Sequence, residues 1–219
     1  MLCASEPNVF PTLVQEIIVW AVPVLLAVIL HEVAHGYVAY LLGDPTAKQA
    51  GRITLNPVPH IDPFGTLALP LLLIVMQSPF LFGYARPVPV DFARLRHPRR
   101  DMVLVAAAGP VTNLLLATAF ALLLPLVWIP HLPPAQQPLL AEIAFRGVLI
   151  NVALAVFNLL PVPPLDGGRV LAGLVPPPLA SLLARIEPFG MFIVVALVAT
   201  NAASVVMRPV IRGLLGLLL

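Results

Sequence analysis

Five stretches of this chain run almost without charge: Val14–Leu30, Gly65–Ala85, Met102–Ile129, Phe189–Met207, and Leu139–Leu160, which holds only Glu142 and Arg146. A bilayer core of about 30 Å needs roughly 20 apolar helical residues to cross it. At least four of the runs are therefore expected to cross or deeply enter a membrane. A large soluble core is the other use for such runs, but it needs polar surface to cover it. This chain has hardly any, with 60% hydrophobic and 10% charged residues against roughly 25% charged in typical globular proteins. The expected fold class is an all-α integral membrane protein, a polytopic helical bundle of about 4–6 membrane segments. One domain is expected over residues 1–219, with its core at 14–175 and a C-terminal membrane segment at 189–207. Residues 209–219 are too short to span.

The 26 prolines fall mostly between the runs, at 57–63, 87–89, 130–138, 161–164 and 176–178, where they punctuate segments. Pro23, Pro70, Pro110 and Pro125 lie inside runs, where a membrane helix tolerates a kink if neighbours satisfy the freed carbonyls. The single cysteine, Cys3, excludes an intrachain disulfide and a thiolate-rich metal site. The N-terminus lacks the basic region of a signal peptide, so the first run is expected to stay as an anchor. Arg86, Arg94, Arg96, Arg99 and Arg100 crowd one connection. No aromatic interleaving accompanies them, so nucleic acid is not an expected partner. The positive-inside rule makes them a cytoplasmic loop.

The chemistry begins at His31-Glu32-Val33-Ala34-His35. Residues four apart on a helix share a face, so both imidazoles can reach one metal ion. Glu32 follows the first histidine directly, where a carboxylate can contact a metal-activated water without being a ligand. Zinc suits such a site, since it takes nitrogen and oxygen ligands and keeps one position open. The pentapeptide alone is common in soluble proteins. Here it ends a long apolar helix over 14–42, and polar groups at membrane depth are costly unless they serve a partner or a cavity.

Two histidines leave a catalytic zinc one protein ligand short. Asp166 follows the extended stretch Asn158-Leu159-Leu160-Pro161-Val162-Pro163-Pro164-Leu165, and Gly167 and Gly168 then let the chain turn. It is a candidate third ligand, although taken alone it reads better as a cap for a short helix starting near Gly168. Glu142 and Asp62 sit nearer segment boundaries and are weaker candidates. His60, His97 and His131 lie in proline-rich connections and read as loop residues. Asn113 and Asn151 read as interhelical hydrogen-bonding residues.

Together these residues resemble the site-2 protease family of intramembrane zinc metalloproteases. That family pairs a His-Glu-x-x-His helix with a later Asn-x-x-Pro-x-Pro-x-Leu-Asp-Gly stretch. The resemblance implies that His31, His35 and Asp166 hold one zinc ion per chain, and that Glu32 is the catalytic carboxylate. It also implies that Asn158 lies near the substrate strand or the developing oxyanion. Gly51-Arg52-Ile53-Thr54-Leu55-Asn56-Pro57, His60-Ile61-Asp62-Pro63-Phe64-Gly65-Thr66 and Arg86-Pro87-Val88-Pro89-Val90 are similar to a compact, largely prokaryotic subgroup. Gly109-Pro110-Val111-Thr112-Asn113 matches a further family feature. The PDZ or CBS domains of many relatives are not expected within these 219 residues.

The resemblance implies hydrolysis of peptide bonds in membrane-spanning proteins, in a prokaryotic cell membrane; the arginine-rich connection places the expected site toward the cytoplasm. The expected partners are a transmembrane protein or peptide substrate and the lipid bilayer. A membrane metal transporter or chaperone, and a catalytically silent scaffold, are the alternatives. A transporter calls for metal-type residues strung across several helices. A silent relative calls for loss of Glu32 or a ligand.

Depth gives a further expectation. His31 lies about 22 Å along the first helix from Glu16 at 1.5 Å per residue, toward its C-terminal end. Asp166 follows the C-terminal end of the 139–160 segment, so the two helices must run in the same direction. That parity fails if Gly65–Ala85 crosses the membrane once. A re-entrant element is therefore expected within residues 51–90, as a β-hairpin edge or a loop, and a free strand edge there would receive an extended substrate.

Overall fold

A computed structural model describes residues 9–77, 83–127 and 136–219. Its helices are α1 (Val9–Leu41), α2 (Thr46–Gln49), α3 (Leu69–Val75), α4 (Pro98–Leu126), α5 (Gln137–Asn158), α6 (Asp166–Leu174), α7 (Pro177–Ile186), α8 (Gly190–Ala199) and α9 (Ala202–Leu218). Among the described residues, four stretches are long and apolar enough to cross a membrane: Val14–Leu41, Pro98–Leu126, Gln137–Asn158, and Pro177–Ala199, which joins α7 to α8. A backbone without water must satisfy its own donors and acceptors, so these runs are helical. Leu115, Leu122 and Phe192 stand more than half exposed, as suits a surface facing lipid.

Helices α1, α4 and α5 form the centre. On α4, Asn113 bonds to Ala27 of α1 and Val105 bonds to His35 further along α1. On the other side, Asn113 meets Asn151 of α5, while Phe120 lies against Gly147 nearer the start of α5. Helix α4 is therefore antiparallel to both neighbours, and α1 runs parallel to α5, as the depth argument requires. Phe120, Val148 and Val152 pack with small alanines here, and Met207, Ile211 and Leu214 of α9 close the cluster from outside. The tail thus docks on the bundle.

The connection from α1 to α4 doubles back. Asp62 accepts from Phe64 N–H and Gly65 N–H, starting a π-helical turn at Pro63–Ala68 that leads into α3. The apolar helix Pro63–Val75 is about 20 Å long at 1.5 Å per residue, short of a full crossing. The chain then returns beside its own start: Tyr84 N–H donates to Gly65 O at 3.0 Å and Arg86 N–H to His60 O at 2.9 Å. Of the two expected forms, the loop is present and the β-hairpin is not, since the described residues contain no strand. Pro87 and Pro89 explain this, because neither offers an N–H to a ladder.

The apolar run 189–207 is also divided. Asn201 adopts a left-handed φ of 61° and separates α8 from α9, as asparagine does just past a helix C-terminus.

Candidate active site

His31, Glu32, His35, Asn158 and Asp166 all line one cavity of about 290 Å³, enclosed by α1, α4, α5, α6 and the extended segment 83–90. His31 and His35 are 7% and 8% exposed and Asp166 is 8% exposed.

The hydrogen bonds behind the imidazoles fix which nitrogen carries the proton. Asn113 gives both Nδ2 protons away, to Ala27 O at 3.1 Å and Asn151 Oδ1 at 2.9 Å. Its Oδ1, 2.6 Å from His31 Nδ1, must therefore accept, and His31 Nδ1–H donates. His35 Nδ1 lies 2.7 Å from Val105 O, which only accepts, so His35 Nδ1–H donates too. When neutral, a ring held this way presents an unprotonated Nε2 to the cavity.

These atoms converge. The two Nε2 atoms are 3.0 Å apart, and Asp166 Oδ2 is 3.1 Å from one and 3.3 Å from the other. Asp166 Oδ2 is buried and has no hydrogen-bond partner. Three lone-pair atoms facing one another in a buried site repel unless a cation stands among them. The set of two imidazoles and one carboxylate fits a metal ion with an open fourth position. Gly109 keeps the space clear: a Cβ there would lie 2.4 Å from His35 Nε2 and 2.6 Å from His31 Nε2.

Asp166 arrives through a compact turn. Leu160, Val162, Leu165 and Gly168 each donate a backbone N–H to a carbonyl two or three residues back. Asp166 is the first residue of α6, and no side chain caps that helix. Its carboxylate faces the histidines instead. Glu32 Oε2 accepts from Val88 N–H at 2.8 Å. Asn158 gives one amide proton to Leu154 O at 3.1 Å, leaving its second.

The weaker candidates lie elsewhere. Asp62 caps the π-helical turn, and Glu142 accepts from Arg146 Nε at 2.7 Å. His60 bonds Thr54 O, and His97 is exposed; His131 lies outside the described residues. Asn113 and Asn151 do bridge helices, but Asn113 also orients a ring of the cluster. Sequence spacing missed that second role. Its one signal was a glycine and an asparagine a single turn apart on an apolar helix.

The sequence signature of Peptidase family M50 matches residues 127–200. YwhC of Bacillus subtilis, named as a candidate zinc metalloprotease, is 40% identical over 88% of this chain and 85% of its own length. The chain belongs to the M50 peptidase family. Rip2 of Mycolicibacterium smegmatis and Rip2 of Mycobacterium tuberculosis carry the same kind of name. Each is 34% identical, over 82% and 79% of this chain and 66% and 63% of their own lengths. No solved structure matches the chain. As an M50 peptidase with four membrane-length helices, it is an integral membrane metalloprotease.

Proposed function

We propose that this M50 protease cleaves peptide bonds in membrane-spanning proteins, in regulated intramembrane proteolysis, from a site near the cytoplasmic face of a prokaryotic cell membrane. The observation that carries this reading is the convergence of His31 Nε2, His35 Nε2 and Asp166 Oδ2 within 3.3 Å of one another beside Glu32. One zinc ion held by those three residues would polarise a water and the scissile carbonyl. Glu32 takes the attacking water's proton on Oε1, since Oε2 is engaged by Val88 N–H, and passes it to the leaving amine. The second amide proton of Asn158 is free to donate to the developing oxyanion. The ring Nδ1–H bonds hold both histidines in the ligating tautomer throughout.

Among the described residues there is one His/Asp/Glu group able to hold a metal. A transporter calls for a series of them. Glu32 and all three candidate ligands are present, which argues against a silent scaffold.

The test pairs zinc content with cleavage of a synthetic transmembrane peptide, in wild type and Glu32→Gln. Glu32→Gln is expected to keep its zinc and lose cleavage by at least about a hundredfold. Undiminished cleavage rules out Glu32 as the base.

A further inference from the structure

Arg52 takes no part in the cycle above, yet it is only 7% exposed. Burying a guanidinium is costly unless its charge and donors are used. Burial and the nearby Arg86 charge disfavour its charged form, and Glu32 opposes them. What Arg52 holds is main chain: its Nη2 donates to Arg86 O at 2.7 Å. Two residues on, Val88 N–H donates to Glu32 Oε2 at 2.8 Å.

The sequence between these bonds couples them. In Arg86-Pro87-Val88-Pro89-Val90 the prolines alternate. Each fixes its own φ and drives the residue before it to extended backbone. In extended chain, alternate residues turn their N–H and C=O to the same edge, and the prolines strip donors from the other. The used edge is filled in sequence: Tyr84 N–H on Gly65 O, Arg86 N–H on His60 O, Arg86 O on Arg52, and Val88 N–H on Glu32. A stiff strap pinned at Arg86 cannot rotate without lifting Val88 N–H off the carboxylate.

We propose that Arg52 is a positioning residue for Glu32. It sets the strap through the Arg86 carbonyl, and the strap sets the rotamer that leaves Oε1 for the proton. The inference rests on Glu32 as the proton acceptor.

The test uses zinc-loaded full-length protein in detergent micelles and the same synthetic transmembrane peptide. Arg52→Met is expected to lower kcat by about tenfold to a hundredfold, the cost of a small misplacement at a reacting group. KM, zinc content and thermal midpoint should stay at wild-type values. Val88→Pro deletes the N–H that reaches Glu32 and should lower kcat likewise. The double variant should then be no slower than Val88→Pro alone. Arg52→Lys, which keeps one charged donor, should recover part of the rate. An unchanged kcat in Arg52→Met, a loss confined to KM, or losses that multiply in the double variant overturns the proposal. Should Arg52→Met fail to fold, Val88→Pro decides it, since wild-type kcat in that variant also overturns it. An active Glu32→Gln instead overturns the reading beneath, so the two failures are told apart.

Discussion

On one turn of α4, Gly109 and Asn113 shape the metal cradle in different ways. Gly109 supplies room, and Asn113 supplies the acceptor that pins the His31 proton on Nδ1. Changing each should therefore fail differently. In Gly109→Ala the methyl enters the space between the two Nε2 atoms, while alanine favours the helix itself by about 0.8–1.0 kcal/mol. Zinc content is expected to fall at least about tenfold without collapse of the fold, read by metal analysis and thermal unfolding. In Asn113→Ala the space remains but His31 Nδ1–H and Asn151 Oδ1 lose their partner. Zinc should still bind, weakened about 10–100-fold in competition with a chelator. Equal affinities for wild type and Asn113→Ala would refute the orienting role. The sequence carried these residues unevenly. His31, Glu32 and His35 are legible from spacing, because four residues make one helical turn. For Asp166 the residues offer a ligand or a cap, which look alike in a Leu-Asp-Gly-Gly stretch, and resemblance and helix direction decide for the ligand. Asn113 was read as helix glue because its contact with His31 is made across two helices, which no local pattern encodes.

Among elements, hydropathy found the three central helices because lipid demands long apolar helices there. It did not find the break at Asn201, since the apolar run continues past it and only one turn-prone residue marks the end of α8. Of the hairpin edge or loop expected within residues 51–90, the alternating prolines of 86–90 leave a one-edged strap. The packing of two glycines separates elements that support the fold from one that also builds the site. Gly147 on α5 faces the Phe120 ring, whose Cγ would lie 2.4 Å from an added Cβ. Gly147→Ala should lower stability by about 1–3 kcal/mol through overpacking, with zinc affinity of the folded protein unchanged. Gly167 is the second residue of α6, and an added Cβ there would meet Leu159 O at 2.3 Å and Leu160 O at 2.4 Å. Those are backbone atoms of a tight turn and cannot swing aside, so α6 must shift and carry Asp166 with it. Gly167→Ala should lose stability and zinc affinity together. Thermal unfolding with and without zinc measures both, because a metal that binds only the folded state raises the midpoint by mass action. A full zinc-induced rise in Gly167→Ala would contradict the coupling.

For the whole molecule, the parity of the chain decides whether the cluster and the arginine-rich connection share a face of the membrane. Arg96 N–H donates to Leu42 O at 3.0 Å and Asp91 N–H to Asp44 Oδ2 at 2.7 Å, which ties the end of α1 to the approach to α4. Arg99 reaches Gly173 O and Val175 O, bringing the end of α6 to the same place. The segment between α1 and α4 can satisfy these bonds only if it enters and leaves on one side. Gln136, just before α5, then belongs to the opposite side. In a Cys3→Ser background, cysteines replacing Lys48, Arg94 and Gln136 report this directly with a membrane-impermeant thiol reagent on sealed vesicles of each orientation. Positions 48 and 94 should react from one face, the cytoplasmic one by the positive-inside rule, and position 136 from the other. Labelling of 48 and 94 from opposite faces would mean that residues 63–85 cross outright. The strap could then no longer lie between Gly65, Arg52 and Glu32, and the proposed positioning of the catalytic carboxylate would fall with the topology.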